Sequence, residues 1–324
     1  MDLYVFHPSK FEQLYNCSVL TKEEWLAERS PNAPFGIAIF LVSMLLMVLY
    51  IPCLVVMLKS NLIKNSSYKI MFFVGIVDVC SLLVNGIGSG YFSYVGAVPC
   101  SYIDVIFLFG YFALACWYLQ GMTCGLLACN RFYILWKSHM SWNLFEGMRI
   151  YVWIFLCLIY ALTAAFFQKS LLFTSKVYSW LYNPYFGIEH VSIDPDLYTN
   201  PGHLIHNLSI AGVLPVINVA LIFQLRQQLK EMVNSQFTKI QALITIQSIL
   251  ICFFTLMTGL AFLSEQYIKM PLEVNMVTNF IWSVSNGAPA VMYLVINRTI
   301  RNRVFKMLKS TNNKISEAIS AGYC

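Results

Sequence analysis

Seven apolar stretches divide this 324-residue chain, at approximately 36–58, 70–96, 103–129, 150–168, 204–225, 240–263 and 274–296. Each is long enough to cross a hydrocarbon core of about 30 Å, which takes roughly 20 helical residues. Inside them only Asp78 and Asp104 carry a formal charge. With 58% hydrophobic and 11% charged residues the soluble class is excluded. The expected fold is an all-α membrane protein, a seven-transmembrane helix bundle.

The connecting segments are charged unequally. Labelled alternately from an outer start, the four inner segments hold 15 Lys and Arg and the four outer ones 6. Three carboxylates, Glu146, Glu231 and Glu317, fall inside, against ten outside. Basic residues stay on the cytoplasmic side during insertion, so the N-terminus is expected to be extracellular and the C-terminus cytoplasmic. Three regions result: a short extracellular segment 1–35, the bundle 36–296, and a cytoplasmic helix and tail 297–324. In the last region Ile300, Val304, Phe305 and Leu308 recur at three and four residues between basic ones, the pattern of an amphipathic helix on the membrane surface. The net charge of +6 sits in inner loops, with Lys59, Lys64 and Lys69, then Arg131, Lys137 and Arg149, then Arg226, Lys230 and Lys239. There it meets membrane lipid or a cytosolic partner, not nucleic acid. Residues 1–34 have no apolar core of signal-peptide type, so the first span is expected to act as its own insertion signal.

Of ten cysteines only Cys17 and Cys100 fall on the expected outer face. Two cysteines alone in an oxidising compartment predict one disulfide, and segment 169–203 offers Cys100 no other partner. Cys53, Cys80, Cys116, Cys124, Cys129, Cys157 and Cys252 lie in spans and are expected as small packing residues; Cys324 ends the tail without an isoprenylation box. Asn16-Cys17-Ser18 is a glycosylation acceptor on the outer side. Span two ends in the glycine-dense run Asn85 to Gly90, which suits close helix approach or an unwound turn. Segment 169–203 carries Tyr178, Trp180, Tyr182, Tyr185 and Tyr198, either as an ordered cover over the bundle or as rings anchored at the interface.

A mid-membrane carboxylate costs roughly 2.5–3.5 kcal/mol, so Asp78 is expected to face the bundle interior. Its candidate partners are Asn279, Ser283, Ser285 and Asn286 of span seven, as a packing bond, a switch, or both. Arg131 closes span three, where it either snorkels to headgroups or meets a cytosolic partner. Phe107, Tyr111 and Tyr118 fall near one helix face. With Asn275 and Asn279 of span seven they are candidate lining for a small, largely apolar or neutral molecule, although core packing gives the same pattern. His203 and His206 have the i, i+3 spacing of metal ligands but no third ligand, so a helix-entry role is expected and no metal is assigned. No span contains a lysine, which excludes a retinal Schiff base, and span three has no central acid to neutralise an amine. No catalytic set and no cofactor site emerge.

Seven spans with an outward N-terminus form the architecture of a G-protein-coupled receptor. Asn130-Arg131-Phe132 resembles the Asp-Arg-Tyr triplet of rhodopsin-like receptors, with Asn130 replacing the acid, so an ionic lock cannot form through that neighbour. Pro289 and Tyr293 loosely resemble the Asn-Pro-x-x-Tyr motif, one residue longer and with Ala288 in place of the asparagine. More of the chain resembles the nematode serpentine receptors of class T. The match runs through Tyr15-Asn16-Cys17, Trp25, Gly36, Tyr50-Ile51-Pro52, Tyr68-Lys69-Ile70-Met71 and Gly75-Ile76-Val77-Asp78. It continues with Asn85, Cys100, Trp117, Asn130-Arg131 and Tyr293-Leu294 with Asn297, over roughly residues 12–305. The resemblance implies a sensory receptor of the plasma membrane, often in the cilia of neurons, acting through a heterotrimeric G protein. It is expected to bind a small extracellular molecule in the outer half of the bundle. Asp78, Asn130, Arg131 and Tyr293 are the expected activation switch and G-protein contact. A transporter or channel is the alternative, and the absence of an internal repeat argues against it. A membrane enzyme would need a convergent catalytic set.

Overall fold

The computed structural model describes residues 1–136, 144–189, 191, 194–231, 236–268 and 270–320. Lys137 and Cys324 lie outside the described residues. The apolar stretches form helices Ala33–Lys59, Ser66–Val95, Ile103–Trp136, Arg149–Phe167, Pro201–Glu231, Gln236–Tyr267 and Leu272–Val295, numbered spans one to seven in chain order. Six of them are long and apolar enough to cross a membrane. Span seven is less apolar because its inward face is polar: Asn275, Thr278, Asn279, Ser283, Ser285 and Asn286 are all buried. Span three continues to Trp136, so Arg131 stands inside a helix instead of closing one.

Span three is the central element, packed against spans two, four, five and six, while span seven closes the ring against span one. Close approach depends on missing side chains. A Cβ on Gly36 would stand 2.6 Å from the Gly90 carbonyl oxygen, so spans one and two cross backbone to backbone there. Just before that crossing, span two widens into a π-helical stretch, Leu82–Gly88. The glycine-dense run therefore serves close approach, while the helix widens there without unwinding. Pro52, Pro215 and Pro289 sit within continuous helices.

After span seven comes helix Arg298–Ser320. Its expected apolar stripe is split: Ile300 and Val304 are buried, whereas Phe305 and Leu308 are exposed. Cys80 and Cys129 are exposed on their helices too, contrary to a uniform packing role.

The opposite end of the bundle, the N-terminal face, is covered twice. Short helices Asp2–Phe6, Pro8–Leu14 and Lys22–Ala27 fold across it, the third started by a Thr21–Glu24 capping box. Cys17 is disulfide-bonded to Cys100 just before span three, as the cysteine positions predict. The Trp25 indole donates to the Cys17 carbonyl at 2.8 Å. The second cover is an antiparallel hairpin, strands Leu172–Thr174 and Ser179–Leu181. Its turn puts Tyr178 at φ 49°, a left-handed conformation that costs a non-glycine residue about 1–2 kcal/mol. Three contacts hold the turn: Asn279 donates to the Tyr178 carbonyl at 3.0 Å, the Tyr178 hydroxyl donates to the Ser30 carbonyl at 2.9 Å, and Lys176 pairs with Glu28 at 2.5 Å. The described part of segment 169–203 is thus a folded cover, with Tyr178, Trp180, Tyr182, Tyr185 and Tyr198 turned inward and Phe186 exposed.

Candidate functional site

Between the hairpin and the bundle lies a cavity of about 350 Å³. Its floor is aromatic: Trp282 of span seven meets Trp117 of span three edge-on at 6.3 Å and Phe262 of span six at 5.1 Å. The hairpin supplies Trp180, Leu181 and Tyr182 above, and Tyr198 and Thr199 stand at the side. The polar groups are few, chiefly Glu265, His203, Asp196 and Asn183. Apolar walls with a small number of placed polar groups are what small-molecule sites have in common.

The local sequence explains how the hairpin comes so near. Gly110 of span three lies directly under the Leu171 carbonyl, leaving no room for a side chain, and Ser170 donates to the Phe107 carbonyl at 2.8 Å. On the hairpin's other strand, Trp180 donates its indole N–H to Ser89 at 2.8 Å and Ser179 donates to the Glu265 carboxylate at 3.1 Å. The adjoining loop is tied to the N-terminal segment, Tyr198 donating to the Leu14 carbonyl at 2.6 Å and Tyr185 to the Asn16 carbonyl at 3.0 Å. Burial, and then the neighbouring Tyr185, push the Tyr198 hydroxyl up to about 12, so it stays a donor at any physiological pH.

A belt of paired polar side chains runs beside the floor. Trp117 donates to Asn207 at 2.8 Å, Asn207 meets His203 at 3.2 Å, and Tyr160 meets His206 at 3.0 Å. Tyr118 donates to Gln168 and lies edge-on to His206 at 4.5 Å. The two histidines are therefore partners in a span three–four–five network. Among the described residues no three His, Cys, Asp or Glu side chains converge as metal ligands.

None of the five residues expected to line a ligand site touches this cavity. Phe107 is covered by Tyr4, Phe11 and Tyr15 of the N-terminal segment, with ring centroids 5.3, 5.0 and 5.6 Å away. Tyr111 is half-buried beside Phe112, and Tyr118 belongs to the polar belt. Asn279 holds the hairpin turn, and Asn275 is buried one turn further along span seven. The face carrying 107, 111 and 118 is real, but the cavity lies about a quarter turn around the helix, on the side of Trp117. Glu265 escapes a hydropathy reading because it sits just past the apolar stretch. The available signal was its i, i+3 spacing from Phe262.

The other predicted residues form two clusters in the remaining length of the bundle. Asp78 is fully buried and accepts from Tyr50 at 2.6 Å and Gln120 at 3.1 Å. The expected span-seven partners do not reach it. At its level span seven presents Tyr293, whose hydroxyl donates to the Met71 carbonyl at 3.3 Å and whose ring stands edge-on to Tyr50 at 6.0 Å. Ser283 is reached instead by Asn85, which is seven residues, about two turns, further along span two. At the far end Arg131 is 1% exposed and donates from Nη1 to Gln241 of span six at 3.0 Å. Its Nε and Nη2 have no partner among the described residues, so it does not snorkel. Asn130 turns the other way, accepting from Ser67 at 2.6 Å and donating to Ser66 at 3.1 Å.

Comparison with known proteins bears on the family and the fold. The model of a family described as the serpentine type 7TM GPCR chemoreceptor Srt matches residues 2–317. Serpentine receptor class T-55 of Caenorhabditis elegans is 21% identical over 297 residues, covering 91% of this chain and 80% of that one. The crystal structure of squid rhodopsin is similar with a TM-score of 0.65, covering 90% of each chain at 13% identity, a likeness of fold.

Proposed function

Since the chain belongs to the serpentine type 7TM GPCR chemoreceptor Srt family, we propose that it binds a small extracellular molecule in the aromatic cavity and activates a heterotrimeric G protein at the opposite face. One observation carries this reading: a cavity of about 350 Å³, partly covered by a tethered hairpin, whose floor joins spans three, six and seven. A ligand wedged between Trp117, Phe262 and Trp282 alters how span six sits on span three. Those same two helices meet again through Arg131 and Gln241. A buried guanidinium with one neutral partner among the described residues is weakly held, because taking a charge out of water costs several kcal/mol that one amide oxygen does not return. Moving span six away frees Arg131 for acceptors on the G protein, and ligand binding shifts that equilibrium by its differential affinity for the two states.

The bias of basic residues assigns the Arg131 end to the cytosol and the disulfide-bearing end to the outside of the plasma membrane, in a sensory cilium where the cell has one. Asn16 is exposed there and is our candidate glycosylation site. The test is ligand-dependent nucleotide exchange in reconstituted receptor, with Arg131→Ala abolishing it at unchanged surface expression. Full exchange by Arg131→Ala, or substrate flux in vesicles lacking any G protein, would overturn the reading.

A further inference from the structure

The cavity also has a chemical polarity. Two carboxylates, Glu265 and Asp196, line it, and among the described residues no Lys or Arg does. Glu265 accepts from the Ser179 hydroxyl at 3.1 Å and has Thr278 of span seven as its other hydroxyl neighbour, so among the described residues it has no cationic partner. A partly buried carboxylate held only by hydroxyls is costly, and a ligand that brings a charged N–H donor to it adds a charge-assisted hydrogen bond. Trp117, Trp180, Trp282, Phe262 and Tyr182 line the same cavity. Ring faces of Trp and Tyr attract cations, and aromatic walls about an ammonium group are a known means of recognising one. An anion would meet two carboxylates and those same electron-rich faces. A neutral molecule would fill the volume and leave the Glu265 carboxylate without a cationic partner.

We infer that this receptor's ligand class is organic ammonium ions, with a small apolar body on the Trp117–Trp282 floor and the nitrogen at Glu265. The inference rests on the cavity being the ligand site, and it departs from the expectation of a neutral ligand. That expectation looked for an acid on span three, whereas the acid stands on span six.

The test uses binding alone, without a G protein, so that it fails independently of the signalling proposal. Full-length receptor in lipid nanodiscs is titrated with phenethylamine, its neutral analogue 2-phenylethanol and its anionic analogue phenylacetate. Wild type is expected to bind phenethylamine at least tenfold more tightly than 2-phenylethanol and not to bind phenylacetate. Glu265→Gln still accepts from Ser179, so the hairpin stays anchored. It should weaken phenethylamine about ten- to a hundredfold, the scale of one hydrogen bond to a charged group, and leave 2-phenylethanol within twofold. Glu265→Asp keeps the charge and should keep the preference, which separates lost charge from lost folding. Binding of none of the three, equal or tighter binding of the alcohol or the acid, or an amine preference that survives Glu265→Gln overturns the inference. Amine binding that drives no nucleotide exchange would leave it standing and sink the signalling proposal instead.

Discussion

Replacing Tyr50 by Phe removes one oxygen from the centre of the bundle and leaves the ring on Tyr293. Tyr50 and Asp78 are both fully buried, and the Tyr50 hydroxyl donates to the Asp78 carboxyl at 2.6 Å. Removing the donor from a buried acceptor costs about 1–3 kcal/mol, so Tyr50→Phe should destabilise the receptor by about 2 kcal/mol. At roughly 2–4 °C per kcal/mol for a chain of this order, the melting midpoint falls by about 4–8 °C. A thiol-reactive fluorophore in detergent suits the measurement. Cys53, Cys124, Cys157 and Cys252 are free and buried until unfolding, while the exposed Cys80 and Cys129 contribute a constant baseline. The decisive arm is the same substitution in an Asp78→Leu background. The acceptor is already gone there, and the loss suffered by Gln120 is common to both members of the pair and cancels. Tyr50→Phe should then cost clearly less, since only the contact with the Tyr293 hydroxyl remains to be lost. An equal midpoint loss in both backgrounds would show that the hydroxyl is not committed to Asp78 and would refute the account of this cluster.

Three other contacts give outcomes of their own. Cys17→Ser and Cys100→Ser should each lower stability by about 2 kcal/mol, the low end for disulfides because spans one and two already restrain the loop, and the double variant should lose no more; additive losses in a surface-expression assay would contradict the bridge. Gln241→Glu gives Arg131 a charged partner and should lower basal nucleotide exchange several-fold, for about 1 kcal/mol gained in the closed arrangement; a rise in basal exchange would count against the Arg131–Gln241 contact as a restraint. Gly110→Ala should strip the receptor from the cell surface because its methyl group meets the Leu171 carbonyl, whereas Gly125→Ala, with nothing within 4 Å, should be neutral or stabilise by about 0.5–1 kcal/mol; equal expression of the two would argue against the hairpin's seat on span three.

Hydropathy alone found the helices, because a lipid-facing surface such as Phe40, Leu41, Leu45 and Val48 of span one must be apolar whatever the interior does. The Cys17–Cys100 pairing was legible for a similarly simple reason: compartment and count left one choice. The cavity was not. Which of Trp117 and Tyr118 faces a ligand depends on the rotation of span three, and that is set by contacts with spans five and six that no single stretch encodes. Asp78 shows the same limit, since its burial could be read from its position but its choice of Tyr50 over Ser283 depends on the relative height of three helices. The hairpin was hidden because its turn uses Tyr178 where a glycine would have announced it, the strain being balanced by Asn279 from a span a hundred residues away.

The two coverings of the N-terminal face differ in how fast they can yield. One is welded to the start of span three by a covalent sulfur bridge, whose uncatalysed exchange takes minutes to hours. The other, the hairpin, is fastened by hydrogen bonds and an ion pair, and covers of that kind open in microseconds to seconds. On the proposed reading of the cavity, ligand entry and release pass by way of strand Ser179–Leu181, and their pace is set by the few polar contacts at that strand's ends.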